Sequence, residues 1–311
     1  MKTYTLENEF LSIEVLNQGA KLLSFKHKRD GINMVVRYED IELYASDTGP
    51  YLGSTIGPVA GRIAGGRFGD HQLSLNTPPN QLHSGFEGLH SQEFNVQKTD
   101  DSLIFENTID HSRDGFPGTI QYKIVYKLKG ETLEIDIKAY PSEAMYLNIT
   151  NHAYFNLDGS ETIHEHSLNV DSPTVSKLDD TLLNYGDSIQ VEGTIFDFST
   201  KKKLKECLEA DHEQYAFTRS LDHYYTAQSL ELSVGNKSLT IETTAPGFQF
   251  YAANFFDETF NDEYGRKAKN HAGLAIEAQR PANEINITKD YPLYSNTSPF
   301  EWTTCYSVKF E

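Results

Sequence analysis

Residues 119–140, TIQYKIVYKLKGETLEIDIKAY, carry the clearest pattern in the chain. Ile120, Tyr122, Ile124, Tyr126 and Leu128 alternate with mostly polar residues. After Lys-Gly-Glu, Leu133, Ile135, Ile137 and Ala139 alternate again. Successive side chains of a strand point to opposite faces, so a period of two on both arms predicts an antiparallel hairpin with one buried face. FLSIEVL (10–16), SLIFENTI (102–109) and LELSVGNKSLTIETT (230–244) repeat the pattern, with Gly and Asn where the chain must turn. Helical spacing is scarce. TKKKLKECLEA (200–210), with Leu204 and Leu208 one turn apart, predicts a short helix, and another is expected near residues 256–262. No linker, repeat or low-complexity segment marks a boundary. The expectation is an all-β fold, one large antiparallel β-sandwich with few short helices, spanning 1–311 as a single domain. A two-domain alternative has only the length in its favour.

The composition narrows the partners. With 45 acidic against 27 basic residues, the formal net charge is −18. Such a field repels phosphate backbones and anionic membranes, so neither nucleic acid nor membrane is an expected partner, while a neutral small molecule is unaffected. Cys207 and Cys305 are too few to build a disulfide framework and read as reduced and structural. The N-terminal MKTYTLENEFLSIEVL alternates and lacks the apolar core of a signal peptide. No apolar run has membrane-spanning length. A cytoplasmic protein is expected.

The chemistry-bearing residues are scattered. In NITNHAYFNL (148–157), alternation puts Asn148, Thr150, His152 and Tyr154 on one strand face and Ile149, Asn151, Ala153 and Phe155 on the other. A polar stripe in an aromatic strand suits a concave binding face, with His152 as a proton carrier. The same histidine could instead be a core residue inside a hydrogen-bonded network. Glu277 closes the apolar run Leu274–Ile276, where burial would raise its pKa toward neutrality; a strand-end carboxylate facing water is the plainer alternative. His83 lies in NQLHSGFEGLH, near Gly85 and Gly88, in a turn that a ligand could approach. Asp222 and His223 are neighbours in SLDHYYTA and point to opposite faces, so only one of them is a candidate. Arg62, among glycines in GPVAGRIAGGRF, has the fork to hold hydroxyl or carboxylate oxygens. HEH (164–166) has no recognised ligand spacing, so no metal site is expected. Neither a phosphate-loop nor a dinucleotide fingerprint is present.

Taken in order, GRIAGGRF, LHSG, DGFPGTIQYKIVYKL, NITNHAYFNL, LDHYY, PGFQFYAANF and AIEAQRPANEIN resemble the aldose 1-epimerase (galactose mutarotase) family over residues ~57–286. The resemblance implies a β-supersandwich and a cofactor-free isomerase that interconverts the α and β anomers of a free hexose such as galactose or glucose. It places the general acid on His152 and the general base on Glu277. It places substrate contacts on Arg62, His83 and Asp222, with Gln279 near the site. Tyr154 or Phe248 would cover the apolar face of the sugar. Ser84 replaces a glycine usual after the first histidine, and Gly61 stands where an Asn is frequent. Two alternatives keep the fold: a hexose-6-phosphate 1-epimerase, disfavoured by the shortage of Arg and Lys near the motifs, and a non-catalytic carbohydrate-binding or sensing protein. A monomer or homodimer acting on a sugar is expected.

Overall fold

The computed structural model describes residues 1–46 and 49–311. Segment 119–140 forms the expected hairpin. Thr119–Lys129 pairs with Thr132–Pro141 up to Leu128 opposite Leu133 and Lys129 opposite Thr132. Gly130 at the turn takes φ +58°, a conformation that costs any residue with a Cβ. All nine alternating apolar residues of the two arms, from Ile120 to Ala139, are buried.

The hairpin lies inside a nine-stranded antiparallel sheet. On one side follow Phe300–Phe310, Lys237–Thr243, Ser229–Val234, Ser167–Asn169 and Lys202–Lys203; on the other, Ser102–Asp110 and Asn95–Lys98. A second sheet has six strands in the order Tyr154–Phe155, Leu274–Gln279, Gly247–Tyr251, Asp222–Tyr225, Thr174–Ser176 and Ser188–Gln190. One hydrophobic cluster joins Ile124, Tyr126 and Ile135 of the first to Phe248, Phe250 and Ile276 of the second. Phe155 stacks on Tyr306 between them, with ring centroids 5.5 Å apart. A three-stranded sheet, Thr3–Glu7, Leu11–Leu16 and Lys21–His27, adds Leu6, Ile13 and Phe25 to the same cluster. The architecture is the all-β antiparallel sandwich expected from the alternation, in the supersandwich form that the family resemblance implies.

The helices depart from expectation in part. Leu204–Leu208 falls inside 200–210 as read. Residues 256–262 are not helical: Asp257 and Glu258 have φ of +47° and +58°, outside the right-handed region, and the segment turns instead. The short helices Tyr215–Thr218 and Glu284–Ile287 have too few turns to show a period. Among the described residues, no helix is long and apolar enough to cross a membrane, and both cysteines are free.

The six-stranded sheet sets up the site because its two faces differ. Along Gly247–Tyr251, Phe248 and Phe250 enter the core while Gln249 and Tyr251 face a cavity. Along Leu274–Gln279 every residue is buried, with Ile276 and Ala278 in the core and Glu277 and Gln279 on the cavity wall. Phe248 therefore does not cover a bound sugar; its place in the period of two turns it inward.

Candidate active site

One cavity of about 400 Å³ opens on this face. All six candidate residues line it: Arg62, His83, His152, Asp222, Glu277 and Gln279. Strand register explains how three of them meet. Gln249 is opposite Glu277, Gly247 opposite Gln279, and Asp222 opposite Tyr251. A Cβ on Gly247 would lie 2.3 Å from the Tyr225 carbonyl oxygen and 2.4 Å from the Tyr224 hydroxyl, so the close approach of the neighbouring backbone requires glycine there. Gln249 Nε2 donates to Asp222 Oδ1 at 2.7 Å and fixes that carboxylate at the cavity edge.

His152 arrives from the other side. NITNHAYFNL is not one continuous strand. Thr150–Asn151 pairs with Thr55–Ile56, Tyr154–Phe155 pairs with Leu274 and Ala275, and His152 sits at the break between them. Its N–H donates to the Ser54 carbonyl at 2.8 Å, and its own carbonyl accepts from Gly53 N–H at 3.0 Å. His152 and Tyr154 line the cavity, but Asn148 and Thr150 do not. The Asn148 side chain instead binds backbone of Arg280, accepting at 2.9 Å and donating at 3.2 Å. Thr150 turns toward Ile135 and Trp302 on the far side. The four-residue polar stripe is thus reduced to its second half, because the strand changes partners at its midpoint.

His152 Nε2 lies 3.4 Å from Glu277 Oε1, with both side chains at most 4% exposed. His152 Nδ1, Glu277 Oε2 and both amide atoms of Gln279 have no hydrogen-bond partner among the described residues. Buried polar atoms left unpaired cost about 1–3 kcal/mol each, and clustered in a cavity they mark where a polar ligand supplies the partners. Burial disfavours charge. It pushes the Glu277 carboxyl well above the ordinary carboxylate range, helped by nearby Asp222 and opposed by Arg62. It pulls His152 down to about 4. Both shifts favour a neutral imidazole beside a carboxylic acid over the ion pair. Burial also raises Asp222, against the pull of Arg62 and the Gln249 hydrogen bond.

His83 comes from a turn just past the short strand Gln81–Leu82. It accepts the Gly61 N–H at Nδ1, 3.1 Å away, which leaves Nε2 carrying the proton in the neutral ring. Burial, then the neighbouring His152 and Arg62, keep that ring neutral. Ser84, where the resemblance implies glycine, takes φ +69°, and its hydroxyl accepts from Val59 N–H at 2.7 Å while donating to Val59 O at 2.9 Å. That pair of bonds offsets the strain of a left-handed serine. At Gly61 a Cβ would fall 2.6 Å from the Ala282 Cβ, and φ is +78°. Gly85 and Gly88 do not reach the cavity; they pack against Asp114 and His90. Of the adjacent pair, Asp222 faces the cavity, while His223 lies against Phe196 in the interior. His83, His152 and Glu277 bring potential ligand atoms within 4.8 Å of one another. The tautomer of His83, however, presents an N–H donor rather than a lone pair.

Several lining residues had no place in the candidate set: Gln249, Tyr251, Tyr51 and Phe255. For Gln249 a signal existed, since a glutamine between Phe248 and Phe250 in a buried strand breaks the apolar pattern where a polar contact is needed.

The sequence profile of the family described as Aldose 1-epimerase matches residues 2–291, which include every candidate residue. The chain belongs to the aldose 1-epimerase family. Galactose mutarotase from Homo sapiens is 28% identical over 324 residues, covering 97% of this chain and 94% of that protein. The aldose 1-epimerase of Escherichia coli is 30% identical over 230 residues, covering 68% of this chain and 66% of that one. Among solved structures, an aldose epimerase homologue from C. elegans superposes with a TM-score of 0.90 at 26% identity, covering 99% of both chains. Galactose 1-epimerase from Lactobacillus acidophilus gives a TM-score of 0.89 at 26% identity, covering 99% of this chain and 94% of that one. Both superpositions take in the whole aldose 1-epimerase sandwich, with the strands that carry Glu277 and Asp222.

Proposed function

We propose that this protein interconverts the α and β anomers of a free hexose such as galactose or glucose, with His152 working on the ring oxygen O5 and Glu277 on the C1 hydroxyl. The observation that carries the reading is the 3.4 Å approach of a buried imidazole and a buried carboxyl on one sugar-sized cavity. Anomer exchange breaks the bond between C1 and O5. The two oxygens that trade protons are bonded to the same carbon, so their acid and base must also be close neighbours.

In the proposed cycle Glu277 takes the proton of the C1 hydroxyl as His152 delivers one to O5, and the C1–O5 bond breaks. The aldehyde turns about C1–C2. Glu277 then returns its proton to the carbonyl oxygen, His152 recovers the O5 proton, and the ring closes on the other face. The pair starts with one proton on His152 and ends with it there. Opening leaves a neutral imidazole and a protonated carboxyl, the state that burial already favours. Sugar hydroxyls donating to Glu277 would bring the closed-ring ion pair level with it. Positioned proton transfer contributes roughly 10²–10⁴-fold. Every step moves protons among His152, Glu277 and the sugar, so the reading calls for no cofactor. Arg62, His83, Asp222 and Gln279 would hold the hydroxyls. The same reading takes 1–311 as one domain, supported by a hydrophobic cluster that runs from Leu6 to Val308. It places the protein in the cytoplasm, supported by its two free thiols, and takes it to act as a monomer or homodimer.

Polarimetry on freshly dissolved α-D-glucose and α-D-galactose tests this, with glucose 6-phosphate alongside. The free sugars should equilibrate faster in proportion to protein concentration. Arg62 is the one Lys or Arg among the described lining residues, so the phosphorylated sugar should gain much less. No acceleration with any aldose would overturn the reading, and sugar binding without exchange would leave a non-catalytic binding protein. Asp222→Asn should raise KM roughly tenfold or more by weakening a charged hydrogen bond. It should also move the acid limb of kcat/KM to lower pH. Asp222 raises the Glu277 pKa, so neutralising it lets Glu277 ionise earlier. A limb that stays put would separate the two carboxyls.

A further inference from the structure

A histidine that passes protons usually has its second ring nitrogen fixed by a hydrogen bond. His152 is held differently. Its Nδ1 has no partner among the described residues, and its Nε2 faces Glu277 Oε1 at 3.4 Å. The plane of the imidazole is therefore set by packing, and the packing is aromatic. Tyr154 lies against it with ring centroids 5.0 Å apart and a 44° tilt. Tyr51 does so at 6.1 Å and 42°. His83 meets it edge-on at 5.2 Å.

Tyr51 ties these contacts together. Its ring also stands edge-on to His83, at 4.8 Å, and to His90, at 5.0 Å. His90 is a fixed neighbour: its carbonyl accepts from Lys21 Nζ, and a Cβ on Gly88 would lie 3.0 Å from its Nδ1. The Tyr51 backbone has φ +56°, a left-handed conformation that is rare for a bulky residue and persists only where the surroundings enforce it. The enforcing bonds run to His152. Ser54 N–H donates to the Tyr51 carbonyl at 3.0 Å, the Ser54 carbonyl accepts from His152 N–H at 2.8 Å, and Gly53 N–H donates to the His152 carbonyl at 3.0 Å. Asn151 Nδ2 donates to the Gly53 carbonyl at 2.9 Å. The Tyr154 hydroxyl donates to the Pro50 carbonyl at 2.8 Å. Residues 50–54 thus grip the His152 backbone, anchor one ring beside its imidazole and supply the other.

We propose that Tyr51 is a positioning residue for anomer exchange: its ring, with that of Tyr154, holds the imidazole of His152 in the orientation that passes a proton to O5. The inference rests on the anomer-exchange reading of His152. Proton transfer depends on angle as well as distance, and a displacement of about 1 Å can cost roughly 100-fold. Tyr51 moves no proton in this scheme and acts through His152.

The test measures kcat and KM for α-D-glucose by polarimetry in the parent, Tyr51→Ala, Tyr51→Phe, His152→Gln, and His152→Gln combined with Tyr51→Ala. Tyr51→Ala should lower kcat by about tenfold or more. Tyr51→Phe, which keeps the ring, should recover most of that loss, to within about threefold of the parent. In the His152→Gln background Tyr51→Ala should cost no more than about twofold, because no imidazole is left to hold. An unchanged kcat in Tyr51→Ala, an equal loss in Tyr51→Phe, or a tenfold loss that persists without His152 would overturn the role. Should Tyr51→Ala fail to fold, Tyr51→Leu fills the space without a flat ring and takes the same test. A second readout needs no turnover: carbon relaxation of the His152 ring by NMR at pH 7.5. The order parameter should be about 0.85 in the parent and Tyr51→Phe, and below about 0.6 in Tyr51→Ala. If the parent exchanged no aldose, the proposed reaction would fall and relaxation alone would decide the clamp. A His152 ring as rigid in Tyr51→Ala as in the parent would refute it.

Discussion

Glu277→Gln is expected to lower kcat for anomer exchange by at least about 100-fold and yet to melt at a higher temperature than the parent above pH 7. Both effects have one cause. Glu277 is 2% exposed, its Oε2 has no partner among the described residues, and burial with the nearby Asp222 charge raises its pKa well above the usual range. The folded chain therefore holds the Glu277 proton at pH values where the unfolded chain has released it. The stability linked to that proton is intact below the ordinary carboxylate pKa. It is lost as pH rises toward the raised value, with a limiting slope of about 1.4 kcal/mol per pH unit. Glutamine keeps the shape and does not titrate, so the gap in melting temperature should widen from pH 5 to pH 8. Calorimetry across that range checks the sign. A variant less stable than the parent at pH 8 would mean that Glu277 is well paired as an anion.

The second large effect is acid lability. Of the 11 histidines in the chain, seven are shifted down by burial: His90, His111, His152, His166 and His271 to about 4, His223 to about 3, and His83 well below its ordinary value. Their interior sites account for this. His166 accepts the Leu157 N–H at Nε2, and His111 Nε2 meets the Tyr122 hydroxyl at 2.9 Å. A depressed histidine contributes stability that is complete above its unfolded pKa of about 6.5 and is lost as pH falls through the folded value. A shift to about 4 is worth roughly 3 kcal/mol once pH reaches 4, and His271, being partly exposed, contributes less. Total stability is only about 5–15 kcal/mol, so several such groups together exceed it. The melting temperature should fall steeply between about pH 6 and 4.5, and unfolding near pH 5.5 should take up several protons. Calorimetry in buffers of different ionisation enthalpy counts them. A flat melting temperature to pH 4.5 with no proton uptake would refute the account of the buried histidines.

Much of this was readable in the chain, and the rest was hidden for physical reasons. Strands with one buried face announce themselves by alternation, so the 119–140 hairpin and its central place in a sheet followed from Ile120 through Ala139. The candidate set Arg62, His83, His152, Asp222, Glu277 and Gln279 came from the order of short motifs, and the fold gathers all six around one cavity. What alternation could not show was the break at His152. A strand that changes partners looks the same in sequence as one that does not, so Asn148 and Thr150 seemed to share its face. Phe248 was expected at the sugar because an apolar surface was sought, whereas the period of two turns Gln249 and Tyr251 into the cavity. The helix expected near 256–262 failed because Asp257 and Glu258 are held in left-handed turns, where bonds from Arg219 and Asn270 to Asp257 outweigh local propensity.

The central claim is that His152 and Glu277 work as one proton-passing pair, and exchange between α and β anomeric protons, followed by magnetisation-transfer NMR, tests it most directly. The parent, His152→Gln, Glu277→Gln and the double variant are compared at one pH. The account predicts that each single change slows exchange by at least about 100-fold and that the double variant is no slower than the slower single, since a pair broken once has nothing further to lose. Losses that multiply in the double variant, or full activity in either single, would contradict it.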